Sequence, residues 1–475
     1  MIDWILGRRK ARLRVDLGTV QPQPPIWPPH AYLDERALNQ HLFLVGTTRQ
    51  GKSKLAEHLF YSLHRQGQAA SLVDPHSDSA NSLLNRFVAE RYFEMPGAYD
   101  RLWWVQFSDR EGEEHFPAFN ILQLKGVARH QISENILSAF HRVFPSLESG
   151  SPRFDNIMLA GADALLANDK PILGMARLLV DKGWRNNLLQ SADPETISFF
   201  HDRFDAWQAF DRANYVESTL NKIFYLSHNP CLKYALSTDG CLGFRRILDE
   251  GISVIWDVGG IGNEYTRALV SAMIALQYET AAKERKAPGL PRTAHRLFLD
   301  EFASYSNTSG KSIEAMLTEC GKFGLWVAPI CQTVAQLGER TQAAVQNCGI
   351  RVAFRIGPED ARVLAPWFGE VDPLATKDLG NGRTGSFELA GQWQLMVNAL
   401  QRLVPQHMVV KVGDRAATEV VVPTVPSQPA DPDALEAVKA EYRRRLTMKR
   451  DEIDLSYMTE APPAPPLGYT GRAFK

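Results

Sequence analysis

The stretch "LFLVGTTRQGKSKLAEHLF", residues 42–60, joins an apolar run to a glycine-bounded loop and then to a helix-like segment. It contains the pattern G-x-x-x-x-G-K-S. The glycines of this pattern let the loop curl so that its backbone N–H groups point at a phosphate, while the lysine neutralises phosphate oxygens and the serine completes a Mg²⁺ shell. The start of the following helix adds the positive end of its dipole. The stretch therefore predicts a site for ATP and Mg²⁺.

The predicted nucleotide-binding residues are those of the loop itself: Gly46, Thr47, Thr48, Arg49, Gln50, Gly51, Lys52, Ser53 and Lys54. A phosphate loop also needs a carboxylate at the end of a neighbouring strand, and "HRLFLDEF" (295–302) supplies one. We expect Asp300 to hold Mg²⁺ together with Ser53, and Glu301 to polarise the attacking water as the catalytic base. Gln332 follows another apolar run, and we expect its amide to contact the γ-phosphate and to report its presence.

Near-continuous apolar runs recur along the chain, as in strands of a parallel sheet that is buried on both faces. They are residues 41–46, 70–75, 102–107, 253–259, 296–301, 325–332 and 351–357. Helical patterns occupy 263–286 and 358–368 between or after them. Between the third and fourth runs the apolar spacing changes to that of helices, beginning with "HQISENILSAFHRVF" (130–144). The pattern indicates an α/β fold with an all-α insertion.

Bulk properties narrow the classes of protein. The formal net charge of -1 gives no overall attraction to nucleic acid, so any DNA contact must come from local clusters. The five cysteines are odd in number and lack C-x-x-C spacing, which favours a reducing cytoplasm over a disulfide framework or zinc site. The chain contains no run of 18 apolar residues, so the sequence predicts no transmembrane helix. The basic start, "MIDWILGRRKARLR", is either a solvated tail or a peripheral contact with the inner membrane.

Taken in order, several motifs resemble those of the HerA/FtsK superfamily, and most closely the type IV secretion coupling ATPases of the TraG/TraD type. They are "HLFLVGTTRQGKS", "VDPHSD", the helical insertion, "LFLDEF", "TECGKFGL", "CQTVAQL" and "VAFRIGPEDARVLAPWF", within residues of about 38 to 425. The resemblance implies a ring, usually a hexamer, that moves DNA through its pore with ATP. It also implies an all-α domain at one end of the ring.

On this basis we expect five segments. They are a basic N-terminal segment with a proline-rich linker (1–38), a RecA-like P-loop NTPase core in two parts (39–125 and 216–425), an inserted all-α domain (126–215), and a C-terminal helix with a disordered tail (426–475). The resemblance also implies partners: DNA, further copies of the chain, and a secretion channel, relaxase or nuclease.

The chain departs from the family pattern at three positions. Family members often have glycine where this loop has Arg49, and usually have glycine where "DPHSD" has Ser77. Gly321 stands where the family usually has an arginine that reaches the γ-phosphate of the neighbouring subunit. Such an arginine finger is worth a factor of about 10³–10⁵ in rate.

Three basic residues are candidates to replace the missing finger. Arg355 is the first choice, because it lies on a strand that could face an adjoining subunit, and Arg351 is the second. Lys322 is adjacent to Gly321 but carries a compact single charge. An arginine introduced at position 321 is expected to restore part of the turnover that is lost when Arg355 is replaced by alanine.

The sequence thus predicts an ATPase that drives DNA through an oligomeric ring in conjugation or mobile-element transfer. Three alternatives stay open: a secretion-type ATPase that acts on protein, a HerA-like ATPase that processes DNA ends, and a slow or degenerate ATP-binding switch. The last is motivated by Gly321.

Overall fold

The computed structural model describes residues 13–21, 30–123, 127–144, 151–285, 292–306, 310–378, 384–425 and 429–458. Two predicted features lie partly or wholly outside these ranges. One is the basic start of the chain with most of the proline-rich linker. The other is the C-terminal tail, whose predicted disorder falls on residues that are not described.

The strands lie at the following positions: β1 Arg14–Gln21, β2 His30–Asp34, β3 Leu42–Val45, β4 Ala69–Asp74, β5 Leu102–Ser108, β6 His115–Pro117, β7 Ser253–Gly260, β8 His295–Leu299, β9 Leu325–Cys331, β10 Ile350–Ala353, β11 Thr376–Asp378, β12 Thr384–Ser386, β13 His407–Val412, β14 Thr418–Val421 and β15 Thr447–Lys449. All seven apolar runs singled out in the sequence are strands, namely β3, β4, β5, β7, β8, β9 and β10.

The α-helices are α1 Glu35–Leu38, α2 Lys52–Arg65, α3 Asp78–Ala89, α4 Ala98–Arg101, α5 Arg129–Val143, α6 Pro152–Leu166, α7 Met175–Val180, α8 Lys182–Leu189, α9 Pro194–Ser198, α10 Ala209–His228, α11 Pro230–Ala235, α12 Phe244–Glu250, α13 Glu264–Lys283, α14 Ala303–Ser306, α15 Gly310–Glu319, α16 Glu339–Gln346, α17 Pro358–Phe368, α18 Leu389–Arg402 and α19 Pro432–Leu446. The two helices predicted at 263–286 and 358–368 correspond to α13 and α17.

An 11-stranded sheet forms the centre of the larger compact unit, in the order β2-β1-β14-β13-β10-β3-β9-β8-β4-β7-β5. The pairs from β10 to β7 through β3, β9, β8 and β4 are all parallel. Every residue of β3, β4 and β8 is buried. This burial explains their near-continuous apolar sequences, since a parallel strand is covered on both faces. The predicted α/β fold with a mainly parallel sheet is confirmed.

The antiparallel edge of the sheet corrects the view of the N-terminal segment as a mere linker. Strand β1 pairs with both β2 and β14, and β14 pairs with β13, which joins the parallel part through β10. The first residue of β1 is Arg14, and its guanidinium lies 3.6 Å from the ring centroid of Tyr32 on β2. Residues 14–21 and 30–34 are therefore part of the sheet.

The contacts divide the chain into two compact units. The larger contains 1–107, 138–148 and 244–442, and the smaller contains 108–137, 149–243 and 443–475. The smaller unit is mostly helical, but it also holds the two-stranded sheet of β6 and β15. It differs from the predicted insertion, 126–215: it also takes in residues 108–125, 216–243 and the segment that begins at residue 443, whereas residues 138–148 belong to the larger unit.

Candidate nucleotide site

The phosphate loop lies between the end of β3 and the start of α2, as its sequence predicts. Two backbone hydrogen bonds hold its beginning: Gly46 N donates to Cys331 O at 3.3 Å, and Thr47 N donates to Arg355 O at 2.9 Å. Gly51 has a φ of 115°, which strongly favours glycine over any other residue. A Cβ at Gly46 would lie 2.6 Å from Cβ of Phe354, so a side chain has no room there.

The ammonium group of Lys52 lies inside the loop. Its Nζ donates to the carbonyl oxygens of Gly46 at 2.6 Å and Thr47 at 2.9 Å. Burial lowers the pKa of Lys52, while the carboxyl groups of Asp300 and Glu301 oppose that shift. The site thus places a cation where phosphate oxygens are predicted, with acidic groups close to it.

Other residues of the predicted loop differ in accessibility. Thr48 and Arg49 are exposed, whereas Gln50 is buried and its Nε2 donates to Thr48 O at 3.1 Å. Ser53 is half-buried in the first turn of α2. Lys54 has partners outside the loop, because its Nζ donates to the buried carboxylate of Glu57 at 2.8 Å.

Asp300 and Glu301 follow the C-terminal end of β8, at the same edge of the sheet as the phosphate loop. The sheet order corrects one expectation: β8 is not adjacent to β3, since β9 lies between them. Asp300 N donates to Val73 O at 3.1 Å, and Glu301 N donates to Asp300 Oδ1 at 3.0 Å. Burial raises the pKa of Asp300 to about 7, and the nearby carboxyl group of Asp74 adds to the rise.

The donor set suits a hard divalent cation. Burial raises the pKa of Asp74 as well as that of Asp300, but the described residues hold no cluster of three or more His, Cys, Asp or Glu side chains that could bind a metal by itself. A Mg²⁺ ion would favour ionised Asp300, and it prefers one or two carboxylates, a hydroxyl group and phosphate oxygens as ligands. Asp300 and Ser53 are the residues that fit this role.

Glu301 lies between side chains that follow the two strands flanking β8. Gln332, after β9, donates from Nε2 to Glu301 Oε1 at 2.6 Å. His76, after β4, places Nε2 at 3.8 Å from the same oxygen, which is an ion-pair distance rather than a direct hydrogen bond. His76 lowers the pKa of Glu301, and Glu301 in turn raises the pKa of His76. Glu301 is therefore favoured in its ionised form, as a base requires.

Sequence reasoning missed His76, although it quoted the motif "VDPHSD" that contains it. The available signal was a polar residue just after an apolar run. What the sequence could not provide was the pairing of β4 with β8, which brings His76 to Glu301. Asp74 was missed for the same reason.

Left-handed backbone is concentrated at this site. Six non-glycine residues of the described chain have a positive φ. Four of them surround the nucleotide site: Arg49 at 59°, Ser77 at 66°, Glu301 at 47° and Gln406, at 69°, whose N donates to Gln50 O at 2.9 Å. Arg49 and Ser77 are the two positions where the family pattern has glycine, so the preference has a conformational cause. Backbone in such regions costs about 1–3 kcal/mol per residue and collects at functional sites.

Gly321 is closed to side chains by Trp326. A Cβ added at Gly321 would lie 2.5 Å from Cζ3 of the indole and 2.9 Å from Cη2. Gly321 belongs to the 3₁₀ turn Cys320–Phe323, whose carbonyl groups accept hydrogen bonds from Arg285 and Arg292. An arginine at 321 therefore needs the ring to move, which corrects the expectation of a simple rescue by Gly321→Arg.

The three substitute fingers lie in different settings. Lys322 and Arg355 are exposed, whereas Arg351 is half-buried and burial lowers its pKa. Arg355 lies just beyond β10 rather than on it, and β3 separates β10 from β9. The spacing of four residues predicts that Arg351 and Arg355 point to one face of a strand, but only Arg351 lies on β10, and Arg355 is two strands away from Gln332. Its backbone oxygen accepts from Thr47, so it adjoins the phosphate loop of its own subunit.

Comparison with known proteins agrees with this architecture. The family described as "TraM recognition site of TraD and TraG" matches residues 295–400. The bacterial conjugative coupling protein TrwBdeltaN70 superposes with a TM-score of 0.60 at 15% identity, over 84% of this chain and 90% of that one. The family match over residues 295–400 and the likeness in fold both support a type IV coupling protein-like P-loop ATPase. The resemblance predicted from the sequence is confirmed.

Two further solved structures are similar in fold to this chain. Plasmid coupling protein TrwB in complex with ADP and Mg²⁺ gives a TM-score of 0.61 at 15% identity, covering 89% of this chain and 97% of that one. VirB4 of Thermoanaerobacter pseudethanolicus gives 0.52 at 12% identity, covering 87% and 96%. At these identities the likeness concerns the fold. Among curated proteins no match was found. None of the helices in the described ranges is long and apolar enough to cross a membrane.

Proposed function

We propose that the chain hydrolyses ATP to move DNA through an oligomeric ring, as a coupling ATPase in conjugative or mobile-element transfer. One observation carries the proposal: Lys52 inside the phosphate loop lies within the field of Asp300 and Glu301, and Glu301 is hydrogen-bonded to Gln332. This is the arrangement that binds a triphosphate and activates a water next to it. The likeness in fold to conjugative coupling proteins supports DNA as the cargo.

In the hydrolysis step, the oxygen of a water molecule attacks the γ-phosphorus. Glu301 accepts the proton that leaves the water, and the bond from the γ-phosphorus to the β–γ bridging oxygen breaks, so that ADP departs with that electron pair. Lys52 offsets the negative charge on the phosphate oxygens. Ser53 and Asp300 would hold Mg²⁺, which when bound would supply Lewis-acid stabilisation of that charge. Gln332 reports the γ-phosphate through its amide group.

We propose a homo-oligomeric ring, most simply a hexamer, with each ATP site completed by the next subunit. Arg355 has an exposed side chain, so it is the first candidate for a charge supplied across a subunit boundary, although its backbone contacts the phosphate loop of its own chain. Exposed Lys322 is the second, because Arg351 is half-buried. The family match at 295–400 favours docking of a TraM-type partner on that region, beside a relaxase or secretion channel. The odd number of cysteines, without C-x-x-C spacing, favours a cytoplasmic location.

The test is the ATPase rate of the purified chain, measured with and without single- and double-stranded DNA, alongside the mass of the assembly. We expect turnover that DNA stimulates, a stimulation that weakens steeply as salt rises, and a mass of several subunits with ATP and DNA present. An ATPase rate that is the same with and without DNA would favour a secretion ATPase that acts on protein. A strictly monomeric active species would contradict the ring, and stimulation by DNA ends alone would indicate HerA-like end processing.

A second candidate function is a slow ATP-binding switch. The packing of Trp326 against Gly321 favours it, because this packing leaves no space for the finger at its usual position. A slow switch would bind ATP tightly with wild-type Lys52 and Ser53 but show no rapid turnover at any DNA concentration. If Arg355→Ala leaves turnover unchanged, this candidate gains over the translocase.

A further inference from the structure

One carboxylate oxygen of Glu301 is approached by two side chains. Gln332 Nε2 donates to Oε1 at 2.6 Å, and His76 Nε2 lies 3.8 Å from the same atom. The two groups come from strands on opposite sides of β8, because β4 and β9 flank it in the sheet. Neither residue is adjacent to Glu301 in sequence, so the arrangement is a product of the sheet order.

The backbone around this trio is fixed, whereas the histidine ring has freedom to adjust. Asp74 accepts hydrogen bonds from His76 N and Ala80 N, both at 2.8 Å, which ties down the loop that carries the imidazole. The side chain of His76 is 52% exposed, compared with 24% for Glu301. The imidazole is therefore less confined by packing than the carboxylate that it approaches.

We propose that His76 is a positioning residue for the base: it holds Glu301 by Oε1 when Gln332 turns its amide to the γ-phosphate. The inference rests on the proposed ATP hydrolysis, in which Gln332 senses that phosphate. With ATP bound, the Gln332 amide has a second acceptor and can leave Oε1. His76 then keeps the carboxylate in place, and the other carboxylate oxygen takes the proton from water. Activation of the base is thereby tied to the presence of the γ-phosphate.

The main experiment compares kcat and KM for ATP in the full chain with His76→Ala, His76→Gln and the control His201→Ala, which removes an exposed histidine of the smaller unit. Loss of a positioning group costs on the order of 100-fold in rate. We therefore expect kcat to fall by about that factor in His76→Ala with KM for ATP nearly unchanged, and His76→Gln, which keeps a donor, to recover much of the loss. His201→Ala should match wild type.

A double-mutant cycle separates positioning from general damage. In a Glu301→Asp background, which keeps a carboxylate but shortens it away from the imidazole, His76→Ala should cause little further loss of kcat, because the contact that it removes is already broken. An equal loss in both backgrounds would overturn the proposal. A change in KM for ATP with kcat unchanged would also overturn it. So would a His76→Gln variant that is as slow as His76→Ala while both variants remain folded.

A binding-state readout tests the inference without turnover. The titratable groups that face His76 are Glu301, Asp74 and Asp300. NMR of selectively labelled histidine should show the His76 titration moving to lower pH in Glu301→Gln; an unmoved titration would overturn the contact. If wild type hydrolyses ATP and His76→Ala is unaffected, the inference fails and the proposed function stands. If wild type does not hydrolyse ATP at all, the proposed function fails by itself.

Discussion

Replacing Gly321 by alanine tests whether the position of the missing finger is sterically closed. The new Cβ would lie 2.5 Å from Cζ3 of Trp326, so the ring has to retreat by about 1 Å to reach an ordinary carbon–carbon separation. On its other contact the ring meets His41, at 5.3 Å between centroids, and His41 Nδ1 accepts from Val327 N at 2.9 Å. His41 is thus a second neighbour of the ring, and one that is itself held in place by a hydrogen bond.

The expected loss follows from overpacking, which costs about 1–3 kcal/mol in a well-packed site. Gly321 has no left-handed φ, so alanine would otherwise gain about 0.4–1 kcal/mol by restricting the unfolded chain. We therefore expect a net loss of about 1–2 kcal/mol. Urea unfolding, followed by circular dichroism, measures it, with Gly338→Ala as control because nothing lies within 4 Å of a Cβ there.

A cycle with Trp326→Leu completes the design. Removing the indole should abolish most of the penalty of Gly321→Ala, which gives a coupling energy of about 1 kcal/mol or more. A Gly321→Ala protein as stable as Gly338→Ala would refute the steric reasoning. So would a Gly321→Arg protein that keeps its stability and gains a hundredfold in ATP turnover, on the order of a finger's contribution.

Four further outcomes are expected. Lys52→Ala should lose tight ATP binding in a fluorescent-nucleotide titration while its far-UV spectrum stays that of the wild type, because Nζ contacts only the loop in the hydrogen bonds described. Glu301→Gln should keep ATP bound but stop turnover, and hydrolysis within about tenfold of wild type would assign the base elsewhere. Burial lowers the pKa of His64 from 6.5 to about 4 and that of His295 to about 3. As pH falls below 6.5 the unfolded chain therefore takes up protons before the folded chain does, and the free energy of unfolding decreases. Urea unfolding at pH 5 should show a free energy of unfolding lower by about 2 kcal/mol per histidine than above pH 6.5. Ser77→Gly should be more stable than Ser77→Ala, since both lose the hydrogen bond from Oγ to a buried carboxylate but only glycine relieves the φ of 66°, a difference of about 1 kcal/mol in the same assay.

The parallel part of the fold was predictable because burial on both faces forces continuous apolar sequences. β4 and β8 illustrate this, with every residue buried. The antiparallel edge was not predictable in the same way. β13 and β14 mix buried residues with partly exposed ones, so their sequences lack the continuous apolar run of a strand that is covered on both faces.

The site divides along a similar line. The loop around Lys52 is specified by adjacent residues, and so is the acidic pair that ends β8, because local chemistry demands those residue types. The contact of His76 with Glu301 depends on which strands are neighbours, which spacing in the sequence does not reveal. The closure of Gly321 depends on where one indole ring points, and only coordinates supply that.

The left-handed residues around the nucleotide have a consequence for laboratory evolution. A population selected solely for survival at high temperature should accumulate glycine at exposed Arg49, where the change removes strain and disturbs no core packing. At Glu301 the same relief is closed, because glycine would remove the carboxylate. Heat tolerance and ATP chemistry therefore compete within a few residues of each other, and variants from such a screen should lose turnover before they lose the fold.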